Sequence, residues 1–151
     1  MKSNGIIRFA IPKDIHQILE LCELHAVYEK ASYSRKGKAK QLEADLFGPH
    51  PKLYCLVAEQ HDGLIAYATY MKQYATWDAA EYFYMVCLFV QELARGYGIG
   101  ERLVDKIKEE GKKLGCYLIQ WQTPQFNTRA MKFYKRIGAT SKSKERFFLP
   151  I

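Results

Sequence analysis

No apolar run in this 151-residue chain approaches the roughly 18 residues that a membrane-crossing helix needs, so a membrane span is not expected. Met1 to Gly5 is polar and lacks the pattern of a secretory leader. Cysteine is sparse and scattered. Cys22, Cys55, Cys87 and Cys116 form no CxxC pair, and three of them lie in apolar segments, where they read as small buried hydrophobes in a reducing compartment rather than disulfide partners or zinc ligands. His16, His25, His50 and His61 have no HxH or HExxH spacing, which removes the usual metal signatures. Internal repeats and low-complexity stretches are missing too. What remains is a soluble, cytoplasmic domain without a metal. At 48% hydrophobic the chain can bury one real core and is short for two, so residues 1–151 are expected to form a single domain.

Aromatic residues, by contrast, make up 14% of the chain, with eleven Tyr, enough to line a cleft as well as edge a core. Charge is unevenly spread around a net +7: residues 95–151 hold thirteen Lys/Arg against five Asp/Glu, residues 1–94 ten against eleven. A positive field over the second part suits a polyanion, and a nucleotide with several phosphates or a nucleic acid would both fit.

The basic part begins at Arg95-Gly96-Tyr97-Gly98-Ile99-Gly100, between the longest apolar run and a strongly periodic segment. Glycines at every second position let a backbone curl with several N–H groups pointing one way, and Arg95 adds a fixed charge. A turn of this kind opening a helix cradles an anion, since unsatisfied N–H groups and the helix dipole act together.

Along the chain, Ile6 to Ala10 is a short strand candidate ended by Pro12. Lys13 to Tyr28 places Ile15, Ile18, Leu19, Cys22 and Ala26 on one helical face. Glu29 to Lys38 reads as a loop, and Ala39 to Phe47 as a helix stopped by Gly48-Pro49. Leu53 to Glu59 and Leu64 to Tyr74 flank His61-Asp62-Gly63, a hairpin signal. Tyr82 to Val90, almost without polar residues, reads as a central strand buried on both faces that delivers the glycine turn. A helix follows through Leu103, Val104, Ile107 and Leu114, then a strand over Cys116 to Gln122. A last helix is capped by Asn127 and stopped by Gly138, and Thr140 and Glu145 to Leu149 supply a final strand or two. The order predicts a mixed α/β domain, with about four helices covering a mostly antiparallel sheet of six to seven strands. The glycine turn then lies at a strand's carboxyl end, where such sheets bind ligands.

A buried strand ending in Leu88-Phe89-Val90, the Arg-x-x-Gly-x-Gly turn at Arg95 to Gly100, and Asn127 followed by Phe133-Tyr134-Lys135-Arg136-Ile137-Gly138-Ala139 together resemble the GCN5-related N-acetyltransferases (GNAT). The resemblance spans nearly the whole chain in element order. Within the family it points to the spermidine/spermine (diamine) and thialysine acetyltransferases, through Tyr28-Glu29, Phe47-Gly48-Pro49-His50-Pro51 and Cys55-Leu56-Val57-Ala58-Glu59 as well. It implies acetyl-CoA as cofactor, direct transfer of acetyl to a primary amine of a small molecule, and a homodimer.

The same resemblance assigns roles. Arg95, Gly96, Tyr97, Gly98, Ile99, Gly100 and Glu101 would hold the pyrophosphate; Asn127, Arg129 and Ala130 would meet the rest of the cofactor; backbone N–H groups at Leu88, Phe89 and Val90 would polarise the thioester. Tyr134 would protonate the departing thiolate. The amine must lose a proton before it attacks, and here the chain departs from the polyamine enzymes: Val86-Cys87 stand where those carry an acidic pair, and no carboxylate occurs from Tyr82 to Val90. Glu29 is the leading candidate base, with Glu81 behind it. Tyr28, Glu29, Trp77, Tyr84 and Trp121 are candidates for the acceptor groove, and an aromatic groove with few carboxylates suits an amine carrying apolar bulk rather than spermine.

Two other classes share parts of this pattern. Nucleic-acid binding would use the basic part, yet neither an RNA-binding strand motif nor a recognition-helix pattern is present. A non-catalytic acyl-CoA-binding module, or an enzyme acting on a protein or peptide amine, would share the same fold.

Overall fold

A computed structural model of the chain describes residues 5–151, so the polar start read at Met1 to Gly5 lies, for residues 1–4, outside the described residues. The strands are β1 (Ile6–Phe9), β2 (Tyr54–Gln60), β3 (Gly63–Ala75), β4 (Ala80–Val90) and β5 (Ile119–Gln120); the helices are α1 (Ile15–Tyr28), α2 (Lys38–Phe47), α3 (Ile99–Lys113) and α4 (Thr128–Arg136). They form a mixed α/β fold with one sheet in the order β1-β2-β3-β4-β5, antiparallel except for the parallel pair β4–β5. Among the described residues no helix is long and apolar enough to cross a membrane, and no cluster of His, Cys, Asp and Glu could hold a metal ion.

The sheet has five strands rather than six or seven. The expected strand at Thr140 and Glu145 to Leu149 is absent, and Phe147, Phe148 and Leu149 are almost wholly exposed. A strand needs a neighbour to pair with, and β5, which pairs with β4 only at Phe83–Ile119 and Tyr84–Gln120, offers barely one rung. The segment read as a strand over Cys116 to Gln122 is reduced to those two residues for the same reason.

Alternation on β2 sends Cys55 and Val57 to a layer shared with Ile15, Ile18, Leu19 and Leu46 of α1 and α2. It sends Leu56 and Ala58 to a layer shared with Ile99, Leu103 and Ile107 of α3. The sheet is therefore covered on both faces.

α1 is fixed at its base by Arg8, whose Nη1 and Nη2 donate to Asp14 Oδ2 and Oδ1 at 2.7 and 3.0 Å while Nε donates to Glu59 Oε2 at 2.9 Å. Asp14 is 1% exposed and also accepts the Ile11 N–H at 2.8 Å. Further along, Gln17 Oε1 accepts the Leu64 N–H at 2.8 Å and ties α1 to the β2–β3 hairpin.

One irregularity decides what β4 shows to each layer. Thr69 pairs with Cys87 but Tyr70 pairs with Met85, so Val86 is an extra residue, a bulge. Before it, Phe83 and Met85 belong to the α3 layer; after it, Cys87 and Phe89 pack with the α1 layer. Without the bulge all four would point the same way. Val86 is 47% exposed, so β4 is not buried throughout its length as the sequence predicts.

Candidate active site

The bulge brings Phe89 beneath α1, and β4 ends a residue later at the mouth of a cavity of about 470 Å³. Three structural groups close around it. β4 contributes Leu88, Phe89 and Val90; the turn and first residues of α3 contribute Arg95, Gly96, Gly98, Ile99, Gly100 and Glu101; α1 contributes His25 and Tyr28, and its C-cap Glu29. The remaining wall is α4 and its approach, from Thr123 and Asn127 to Arg136.

The strand edge facing the cavity is open, because β5 has already ended. Gln91 donates its N–H to Ile65 O at 2.9 Å on the β3 side, so by antiparallel alternation Leu88 and Val90, two non-bonded pairs with Ala68 and Ala66, turn their N–H and C=O groups the other way. The Val90 carbonyl takes the Arg95 Nε–H at 2.8 Å. This leaves the Leu88 and Val90 N–H groups aimed at the cavity side, able to donate to an oxygen atom there.

The glycine turn takes the form that its spacing calls for. Gly96 and Gly98 have φ of 85° and 79°, the left-handed region that side chains avoid, and a Cβ at either would meet open space rather than protein. Gly98 caps α3, and the first residues of that helix, Ile99, Gly100 and Glu101, line the cavity. Gly100 is tight for a different reason: a Cβ there would come within 3.1 Å of Phe133 Cζ. Arg95, Arg129, Lys132 and Arg136 line the cavity against only Glu29 and Glu101, so its charge favours an anion.

Asn127 ties the walls together. Its Oδ1 accepts the Ala130 N–H at 3.3 Å as the N-cap of α4 and the Tyr28 O–H at 2.8 Å, and its Nδ2 donates to Thr123 Oγ1 at 3.4 Å. The Arg95 guanidinium stands 4.5 Å over the Tyr28 ring and 5.5 Å from Phe89, so it is held into the wall instead of projecting freely at the mouth. Trp121 meets the Tyr134 ring edge to face at 5.1 Å. Burial pushes the Tyr134 phenol up to about 12, with Glu29 and Tyr28 adding smaller effects, so it keeps its proton at neutral pH.

His25 lies on the α1 side of the cavity, its ring stacked on Phe89 at 5.1 Å and 21°. Nδ1 is 2.7 Å from Tyr67 Oη and Nε2 is 3.2 Å from Glu29 Oε1. Burial pulls its pKa below the usual 6.5; Glu29 opposes this and Arg95 adds to it.

Most of the residues expected from the sequence meet here, and five do not; Glu81, the second candidate base, is outside the lining and paired with Lys72 at 3.2 Å. Trp77 is wholly exposed at the β3–β4 turn and borders a separate shallow depression, the length of β4, about 30 Å, from Val90. Tyr84 lies beside Gln120 in mid-strand, before the bulge. Trp121 backs Tyr134 without lining the cavity, and Tyr97, 46% exposed, lies outside the lining as well. The aromatic lining of the cavity is therefore Tyr28, Phe89, Phe133 and Tyr134 rather than tryptophans. His25, Lys132, Phe133 and Arg136 were missed. Their signals were helical: His25 precedes Glu29 by four residues, and Lys132, Phe133 and Arg136 follow Arg129 by three, four and seven.

Residues 13–139 match the acetyltransferase (GNAT) family. The chain is 34% identical over 142 residues to the thialysine N-epsilon-acetyltransferase of Bos taurus, covering 89% of this chain and 83% of that one. It is 26% identical to the human spermidine/spermine N(1)-acetyltransferase-like protein 1, over 92% of this chain and 21% of that longer protein. Among solved structures, an integron cassette protein from V. cholerae superposes with a TM-score of 0.78 at 27% identity, covering 97% of this chain and 93% of its own.

Proposed function

The chain belongs to the acetyltransferase (GNAT) family and is an acetyltransferase, and on that premise we propose that it moves acetyl from acetyl-CoA to the primary amine of a small molecule by direct attack. The observation that carries this reading is that one cavity is lined at once by an anion cradle, an open strand edge, a protonated phenol and a carboxylate.

The residues present fit acetyl-CoA. Gly96 and Gly98 leave room at the start of α3, while the cationic wall suits a pyrophosphate. When bound, acetyl-CoA supplies the acetyl group as a thioester. Arg95 to Glu101, with Asn127, Arg129 and Ala130, would hold it. The Leu88 and Val90 N–H groups, with Phe89 between them, would stabilise negative charge developing on a carbonyl oxygen. Tyr134 would hold a proton at Oη for the leaving sulfur. Glu29, with Tyr28 beside it, would receive the incoming ammonium at the place where it is deprotonated.

A single accessible carboxylate on the acceptor side, between aromatic rings, supports a monoamine or an amino-acid side-chain amine over a polyamine. The thialysine relative points the same way. A homodimer belongs to this reading, since the nearly fully exposed Phe147, Phe148 and Leu149 suit a second copy. So does a cytoplasmic location, where the four free cysteines would stay reduced.

The test is CoA-thiol release from acetyl-CoA with a panel of monoamines, amino acids with side-chain amines, and spermidine. Turnover that favours the first two supports the proposal, and faster turnover of spermidine overturns the acceptor class. CoA binding with no turnover of any amine would identify a non-catalytic acyl-CoA module. Turnover of peptides alone would move the acceptor to a protein.

A further inference from the structure

β4 carries no carboxylate from Tyr82 to Val90, yet an ammonium must lose a proton to attack. A further titratable group lies close to that need. His25 stacks on Phe89, the central residue of the open edge, and lines the cavity together with Glu29, four residues along the same helix face. Its side chain is 13% exposed, against 36% for Glu29, so the carboxylate stands in front and the imidazole behind it.

Resting on the function proposed above, we propose that His25 is the proton acceptor for the amine substrate, with Glu29 receiving the ammonium and then pairing with the imidazolium. The ammonium N–H bond breaks and an imidazole Nε2–H bond forms; the electron pair left on nitrogen is the one that attacks. The new cation lies 3.2 Å from Glu29 Oε1, so protonation turns this contact at the end of α1 into an ion pair. The proton later returns to solvent through Glu29, which is the more exposed of the two.

Before an ammonium binds, Nε2–H donates to Glu29 Oε1 and Nδ1 accepts the Tyr67 O–H, since two acceptors would otherwise face each other at 3.2 Å. Nε2 becomes an acceptor when a bound ammonium occupies Oε1 and the ring's own proton sits on Nδ1, which the other side of the ring allows. Tyr67 Oη, 2.7 Å from Nδ1, can accept that N–H, because its own O–H has alternative partners in the Cys22 and Cys87 sulfurs. Burial drives the Tyr67 pKa far up and raises Cys22 and Cys87, so all three remain protonated. The groups facing His25 are thus Glu29 from its own helix, Tyr67 with Cys22 and Cys87 behind it, and Arg95 beyond Phe89. Only Glu29 is anionic, and it faces the side from which the substrate enters. Burial keeps the imidazole neutral at pH 7, the state a base needs, and the same burial weakens a bound ammonium's hold on its proton.

The experiment is the pH dependence of kcat/KM for an amine that ionises near 10.4, as a lysine side chain does at about that value. The expected wild-type profile is flat from below 6.5, where His25 titrates, up to the ionisation of the amine. His25→Gln keeps a polar side chain against Tyr67 and Glu29. It should turn the plateau into a tenfold rise per pH unit that ends only at the amine's own ionisation, with a loss of about hundredfold at pH 7. An amine already neutral at pH 7 should lose less than about tenfold in the same variant. A second readout needs no turnover: the His25 imidazole resonance should titrate below 6.5 in the wild-type protein and lower still in Glu29→Gln. A plateau that survives His25→Gln, or a His25 titration indifferent to Glu29→Gln, overturns the proposal while leaving amine acetylation intact. Absence of turnover with every amine would instead sink the functional reading.

Discussion

Tyr28 donates a 2.8 Å hydrogen bond to Oδ1 of Asn127, 99 residues further along the chain, and so joins the end of α1 to the start of α4 across the cavity. Tyr28→Phe keeps the ring under Arg95 and removes only this link. Because Asn127 keeps the Ala130 and Thr123 contacts, the stability loss should stay near 1 kcal/mol, with KM for acetyl-CoA rising about fivefold. Asn127→Ala removes the helix cap as well and should cost about 2 kcal/mol. Thermal melts and initial rates compare the two.

The glycines should fail in two distinguishable ways. Gly98→Ala puts a Cβ at φ 79°, a strained backbone, and should lower stability by about 1–2 kcal/mol while weakening CoA binding. Gly100→Val drives a branched side chain toward Phe133 and into the cradle. Calorimetric titration should detect no CoA binding, although the fold persists by circular dichroism.

Tyr134→Phe tests the acid alone. Its ring still packs on Trp121, so CoA should bind with unchanged Kd while kcat falls about hundredfold. Equal losses in binding and turnover would assign Tyr134 to packing.

Acid should loosen the base of α1. Hydrogen bonds from Arg8 hold the Asp14 carboxyl below its usual 3.8, so its contribution to stability is complete above that value and is lost as pH falls through the lowered one. Asp14→Asn should cost roughly 3 kcal/mol at pH 7, and the gap from wild type in urea titrations should shrink below pH 3.8.

The exposed tail gives a prediction about assembly. Removal of residues 145–151 takes away Phe147, Phe148 and Leu149, and light scattering should then report half the mass found for the full chain.

The helices were legible because their signals are local. Asn127 is the cap of α4, and Gly98 the cap of α3, where side-chain chemistry and glycine spacing indicate them. The hairpin at His61-Asp62 was equally plain. What escaped depends on partners distant in sequence. Nothing in Tyr82 to Val90 reveals that Val86 is an extra residue, since a bulge exists only relative to the opposite strand. Trp77 looked like a groove residue because aromatic character carries no address; it lies at the far end of a strand whose length, not its composition, separates it from the cavity. The tail's apolar residues met the pattern of a strand, but a pattern cannot supply a neighbour. His25 was set aside for lacking metal spacing, although its separation from Glu29 was a pairing signal of another kind.

Because Tyr28 and Asn127 close the cavity from widely separated positions in the chain, a polypeptide still leaving the ribosome cannot possess the site until α4 has emerged. β1 to β4 with the first three helices can already be in place by then. Activity therefore arises only after α4 has been made, and a chain broken off before Asn127 would retain much of the sheet without a closed site.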